Sequence, residues 1–245
     1  MLPFSFVQAE TASNLLNLEY KTFYSHLRKI DIEDTPGLQF AFGFVNTESK
    51  VPCVMKNVTI HTPKIDIPVA LDALNRFSLP KERALKLADA EVNVQFQNAG
   101  FEACQLSVLL EANPRWLAEL PLQTSAIPGV ELSEQEKSKL NIVEPKEPPL
   151  AKTHISAERL AKLNTQFQQF FESMGGGLFG FMMPETLGLK LYLKPDYQAS
   201  QLLQEGLAGM NQEGELIKLD TDWINQNQQA LPLAAISHIT AWVEN

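Results

Sequence analysis

The chain is short of the residues that most catalytic and metal sites are built from. Its 245 residues include two cysteines and four histidines, and 20 Lys and Arg stand against 29 Asp and Glu, for a formal net charge of -9. Cys53 and Cys104 lie far apart and form no Cys-x-x-Cys pair, which argues against a zinc ribbon or thioredoxin-type exchange. His26, His61, His154 and His238 are scattered, with no i, i+4 pair and no His-Glu-x-x-His, so a helical zinc site is not indicated. There is no Gly-x-Ser-x-Gly nucleophile elbow, although a triad can assemble from distant positions. The deficit of cations argues against a groove for nucleic-acid phosphates, which needs clustered cations. No apolar run reaches the roughly 18 residues that span a bilayer. Gly175-Gly176-Gly177 lacks the Gly-Lys-Ser/Thr ending of a P-loop and follows a helical pattern where a phosphate loop would open one. No cofactor is implied.

What is present describes a folded chain. Hydrophobic residues make up 44% and charged residues 20%, a globular composition, and the length suits one large domain or two of about 100 residues. Leu18 to Ile30 reads as an amphipathic helix. Strands follow at Leu38–Phe44, Val51–Ile60, Lys64–Val69, Arg76–Pro80, Glu91–Phe96 and Ala103–Leu110, with a turn at Asp72–Asn75 and one or two helical turns over Lys81–Leu87. Six prolines between Asn113 and Ile155 mark a linker or long crossover. Ser156 to Met174 is a second helix, with Ser156 as its cap and the three glycines as its stop. Leu187–Leu193, Gln201–Met210, Glu215–Leu219 and Ile236–Val243 read as strands, with a turn at Asn211–Gly214.

The fold class that emerges is α+β, mainly antiparallel β and sandwich-like, in two lobes that are each preceded by an amphipathic helix. The boundaries are residues 10–113, a Pro-rich linker over 114–155, and 156–245. The Leu-Pro steps at Leu79-Pro80 and Leu231-Pro232, each before a closing strand, suggest an old duplication.

Residues 1–9 have the apolar run and the Val7-Gln8-Ala9 pattern that end a secretory signal peptide. They give a periplasmic address, or a cytoplasmic one if they are not a signal remnant. In an oxidising compartment Cys53 and Cys104 are a candidate disulfide; in the cytosol they are small buried hydrophobes. Leu178 to Pro184 is apolar on both faces. Phe179, Phe181, Met182 and Met183 are therefore candidate contacts for a ligand or partner, the alternative being a strand buried on both sides. Glu213, Glu215, Asp220 and Asp222 are candidate oxygen ligands for calcium, and otherwise a solvated acidic face. Trp116, Trp223 and Trp242 suit stacking on sugars or burial in the core.

The segments Leu18–Leu27, Arg76–Pro80 and Ile239–Val243 resemble an exported gammaproteobacterial family known as a domain of unknown function. That resemblance implies a signal peptide and a periplasmic address; it carries no activity and no catalytic residues. The function expected is a non-enzymatic exported binding or interaction module, taking an unknown protein or a small apolar ligand. The alternatives are a hydrolase-type enzyme with a site assembled from distant residues, and a carrier of a small apolar ligand.

Overall fold

The structure, a computed structural model, describes residues 14–31, 33–98, 101–120, 151–179, 185–197, 202, 210–213, 215–226 and 229–244. The chain divides into two compact units, one of residues 1–24 and 42–108 and one of residues 25–41 and 109–245. The assigned strand pairings are antiparallel and are joined by helices and turns, so the protein is α+β. Among the described residues no helix is long and apolar enough to cross a membrane.

The first unit holds the four-stranded sheet β1-β5-β3-β4, built from β1 (Leu15–Glu19), β3 (Met55–His61), β4 (Asp66–Val69) and β5 (Glu91–Phe96). Alternation in β5 sets one face: Val92, Val94 and Phe96 are buried and Glu91 is exposed. Register extends that face across the sheet, with Leu18 and Ile60 flanking Val92 and with Leu16 and Val58 flanking Val94. Aromatic rings complete the core. Phe23 meets Phe42 edge-on at 5.0 Å, and Phe44 meets Phe96 at 5.2 Å, geometries worth about 0.5–1.5 kcal/mol each beyond burial.

Here the helix expected over Leu18–Ile30 is replaced by β1 followed by α1 (Tyr20–Leu27). Pairing of Leu16 and Leu18 with β5 overrides the local helical period. The strand expected over Arg76–Pro80 shrinks to one bridge between Phe77 and Phe42. Left-handed Asn75 (φ 57) closes the Asp72 turn on one side of it, and Pro80 bounds it on the other. Cys53 lies outside any strand, its N–H donating to the Phe44 carbonyl at 2.8 Å. A short helix, α2 (Arg83–Leu87), precedes β5.

Two strands pass the division between the units, β2 (Leu38–Asn46) and β6 (Cys104–Ala112), and they pair with each other. After β6 the expected linker begins instead with α3 (Pro114–Leu117). Asn113 caps it by accepting from the Arg115 N–H at 3.0 Å, and Pro114 takes the first helical position, where its missing N–H costs nothing.

The second unit holds the sheet β12-β8-β10-β9, of β8 (Thr186–Leu193), β9 (Met210–Glu213), β10 (Leu216–Asp220) and β12 (Ile236–Val243), and a small pair of β7 (His154–Ile155) with β11 (Leu231–Pro232). Its long helix is α4 (Ala157–Phe179), capped by the Ser156 hydroxyl on the Arg159 N–H at 3.2 Å. Leu160, Leu163, Phe167 and Phe170 form its buried stripe, and Leu189, Leu191, Ile217, Leu219 and Ile239 are buried on the sheet.

Two sequence expectations change in this unit. Gly175–Gly177 do not stop α4; they stay inside it, because glycine costs a helix about 1 kcal/mol per residue without forbidding it. The turn expected at Asn211–Gly214 is shortened, since Met210–Glu213 is a strand with Glu213 opposite Leu216; most of the strand expected over 201–210 lies outside the described residues. The two four-stranded sheets also differ in order. β4, the later strand of its hairpin, is at the edge of the first, whereas β9, the earlier strand of its hairpin, is at the edge of the second. The duplication suggested by the Leu-Pro steps is not repeated in strand order.

Candidate ligand-binding face

In β8, β10 and β12 the residues between the buried ones point to the opposite side of the sheet. Register arranges them in rows. Leu216, Tyr192 and His238 form one; Lys218, Lys190 and Thr240 the next; Asp220, Gly188 and Trp242 the third. Lys190, Tyr192, Lys218, His238 and Trp242 are each half-buried, whereas Thr240 and Gly188, in the same rows, are buried.

Gly188 is buried and has φ +154, and a Cβ placed there would lie 2.0 Å from the Leu219 carbonyl oxygen, so glycine is required. The register of β8 and β12 shifts beside it, between Trp242 and Val243, a bulge of the kind that re-aims side chains. The Lys218 ammonium lies 5.9 Å from the Trp242 ring centroid. Tyr192 and His238 stack at 4.2 Å with an interplanar angle of 4°. Asp220 is engaged elsewhere: its carboxylate accepts the Trp223 N–H at 2.6 Å and starts helix α5 (Thr221–Gln226). The face thus combines flat rings with two lysines that stand opposite each other on adjacent strands.

The first unit carries a shallow cleft of about 240 Å³ beside the Cys53–Cys104 bridge, lined by Val51, Pro52, Val54, Phe96 and Phe101 with Asn46 and Asn98. Val51 and Val54 are 58% and 47% exposed, and Phe96 and Phe101 stack at 5.2 Å. Its volume is below the roughly 300–1,000 Å³ of most small-molecule sites.

The residues singled out from the sequence fall as follows. Cys53 and Cys104 are joined, with sulfurs at 2.02 Å and α-carbons at 6.2 Å. Phe181, Met182 and Met183 lie outside the described residues, and Phe179 is the last residue of α4. Glu213 ends β9, Glu215 is exposed, Asp220 ends β10 and Asp222 is in the first turn of α5. Among the described residues no three His, Cys, Asp or Glu side chains come together as a metal site would need.

The histidines have separate settings. His61 Nδ1 meets Asp66 Oδ1 at 2.6 Å, His154 Nδ1 lies 3.0 Å from the Thr153 hydroxyl, and His26 stands edge-on to Phe40. Burial, with Lys29 nearby, holds His26 below the usual imidazole range. Of the half-buried row, Trp242 and His238 were visible in the sequence as isolated residues. The alternation in Gly188–Tyr192 and Leu216–Asp220 was a signal for Lys190, Tyr192 and Lys218, but which strands pair was not.

The fold and this face define an antiparallel α+β protein with an aromatic and cationic sheet surface. Residues 12–126 match the family model described as Protein of unknown function (DUF2987). The match takes in two of the three segments that carried the sequence resemblance, Leu18–Leu27 and Arg76–Pro80, and the third lies beyond it. No curated protein and no solved structure matches the chain.

Proposed function

We propose that the protein is an exported binding module of a bacterial envelope, non-enzymatic, which takes its ligand on the outer face of β12, β8 and β10. The observation that carries binding is the face itself, with stacked Tyr192 and His238, Trp242 beside the bare Gly188, and Lys190 opposite Lys218. Rings on a rigid sheet supply contact area at small entropic cost, and half-exposed side chains are available to a ligand. The Cys53–Cys104 bridge supports export, because such bridges persist in oxidising compartments and are rare in the cytosol. The apolar end of a signal peptide read in residues 1–9 points the same way.

The test has two arms. Osmotic-shock fractionation of cells expressing the chain from its natural gene, with maleimide trapping of thiols, is expected to recover it oxidised in the periplasmic fraction; recovery in the cytosol with both thiols free overturns export. Nuclear magnetic resonance of the full chain against a panel of oligosaccharides, unstructured peptides and detergent micelles is expected to shift signals of Tyr192, His238 and Trp242. A panel in which every ligand leaves those three unmoved overturns the binding face.

A further inference from the structure

We infer that the Cys53–Cys104 bridge is a thiol–disulfide exchange site, opened and closed in the folded protein by a dithiol that reaches it through the cleft of the first unit. Both cysteines line that cleft and both are half-buried, so the bridge forms part of an open surface. Bridges within reach of solvent are the labile ones. The cleft, at about 240 Å³, is small for a ligand but admits a thiol, and Val51 and Val54 beside it are exposed. Among its described lining residues none is charged, so no carboxylate there repels an incoming thiolate.

The backbone around the bridge holds without it. The Cys53 N–H donates to the Phe44 carbonyl at 2.8 Å, the Asn46 N–H to the Val51 carbonyl at 2.9 Å and the Gln97 N–H to the Val54 carbonyl at 2.9 Å. On the other side the Thr47 N–H donates to the carbonyl of Ala103, the residue before Cys104, at 2.8 Å. When the sulfurs part, these bonds keep the two α-carbons, 6.2 Å apart, within the span that a disulfide closes. The reduced pair is therefore poised to close again.

Exchange takes two steps. A thiolate of the dithiol attacks one sulfur of the bridge and forms a new S–S bond, while the other sulfur leaves as a thiolate and takes up a proton. The second thiolate of the dithiol then attacks its own partner sulfur in the mixed disulfide and releases the remaining cysteine, which is protonated in turn. The chain gains two electrons and two protons, and the dithiol becomes a disulfide. An oxidised partner restores the bridge by the reverse steps.

The experiment is reduction of the full chain in native buffer, timed by maleimide labelling and mass spectrometry, with dithiothreitol and a reduced thioredoxin as probes. The expected rate rises in proportion to dithiothreitol, is little changed by urea below the unfolding transition, and leaves the far-ultraviolet circular dichroism in place. Oxidised glutathione should then reclose the bridge without denaturant. Val54→Glu should slow reduction roughly threefold and Val54→Lys speed it by a similar factor, the scale of an exposed charge interaction. Both effects should fade as NaCl rises to about 0.5 M, and unchanged circular dichroism certifies that each variant folds. Thioredoxin acting at concentrations where dithiothreitol is inert identifies a protein dithiol as the source, and equal rates per dithiol identify a small one. Reduction that begins only as urea approaches the transition, or that abolishes the circular dichroism signal, overturns the inference, because the bridge is then a sealed staple. A rate indifferent to the charge placed at Val54 overturns it as well, because attack then does not pass through the cleft.

Discussion

Gln166, in the middle of α4, accepts the Gly37 amide through its side-chain oxygen at 2.6 Å, across 129 positions of sequence. Both ends are buried, and a Cβ on Gly37 would stand 2.8 Å from that oxygen and 3.0 Å from the Trp116 ring. The Gly37 carbonyl in turn accepts the Asn113 amide at 2.7 Å. Trp116 is further held by Arg159, whose guanidinium lies 3.7 Å over its ring and donates to its carbonyl. A polar lock of this kind is costly to leave half made.

Gln166→Leu should therefore destabilise the second unit by about 1–3 kcal/mol, the cost of stranding a buried amide. Gly37→Ala should do at least as much, because the Trp116 ring blocks the added methyl. All three tryptophans belong to the second unit, so urea unfolding followed by tryptophan fluorescence reads this directly. A midpoint equal to that of the parent chain would refute it.

The Cys53–Cys104 bridge closes a loop of sequence separation 51 within the first unit. Loop entropy puts its contribution near 4 kcal/mol, at the upper end of the usual 2–4. Reduction, or Cys53→Ala with Cys104→Ala, should lower the urea midpoint of the first unit, followed by far-ultraviolet circular dichroism. If reductant leaves the whole curve in place, the bridge does not staple this unit.

Tyr20 is fully buried, donates its hydroxyl to the Pro80 carbonyl and accepts the Glu82 amide at 3.1 Å. Burial, chiefly, pushes its pKa up to about 12 from 10.0. The folded state thus holds the phenol proton more tightly than the unfolded chain. Its contribution is full below pH 10 and is lost as pH rises through 10 to 12, at up to about 1.4 kcal/mol per pH unit. Tyr20→Phe should lower stability at pH 7 by about 1–3 kcal/mol. It should also flatten the alkaline fall relative to the parent; parallel curves above pH 10 would count against this.

Gly188→Ala is expected to be among the most damaging single substitutions in the second unit. Its methyl would meet backbone, the Leu219 carbonyl oxygen at 2.0 Å, and φ +154 disfavours any L side chain. A melting temperature within about 2 °C of the parent's would show that the sheet accommodates it.

Strand alternation made much of this legible. Glu91–Phe96 was readable because it buries one face, Leu38–Phe44 and Leu187–Leu193 because large apolar residues alternate with small or polar ones, and Ser156 because its hydroxyl has one orphan amide to reach. What misled was local pattern without partners. Leu16 and Leu18 belong to a ladder with β5, 70-odd residues on, which no window can contain, and three glycines look like a stop although α4 runs through them. The candidate face was hidden for the same reason: Lys218, Lys190 and Thr240 become one row only after β10, β8 and β12 are aligned.

The interleaving of the units has a price during synthesis. Ser25–Ala41 leaves the ribosome well before Leu109 and the residues after it, with which it forms one compact body. Leu27, Leu38 and Phe40, buried in the finished protein, emerge with nothing to fold against. A nascent chain paused between residues 41 and 109 therefore carries a greasy stretch in water, the kind of surface that holdases recognise and that drives clumping of half-made polypeptides.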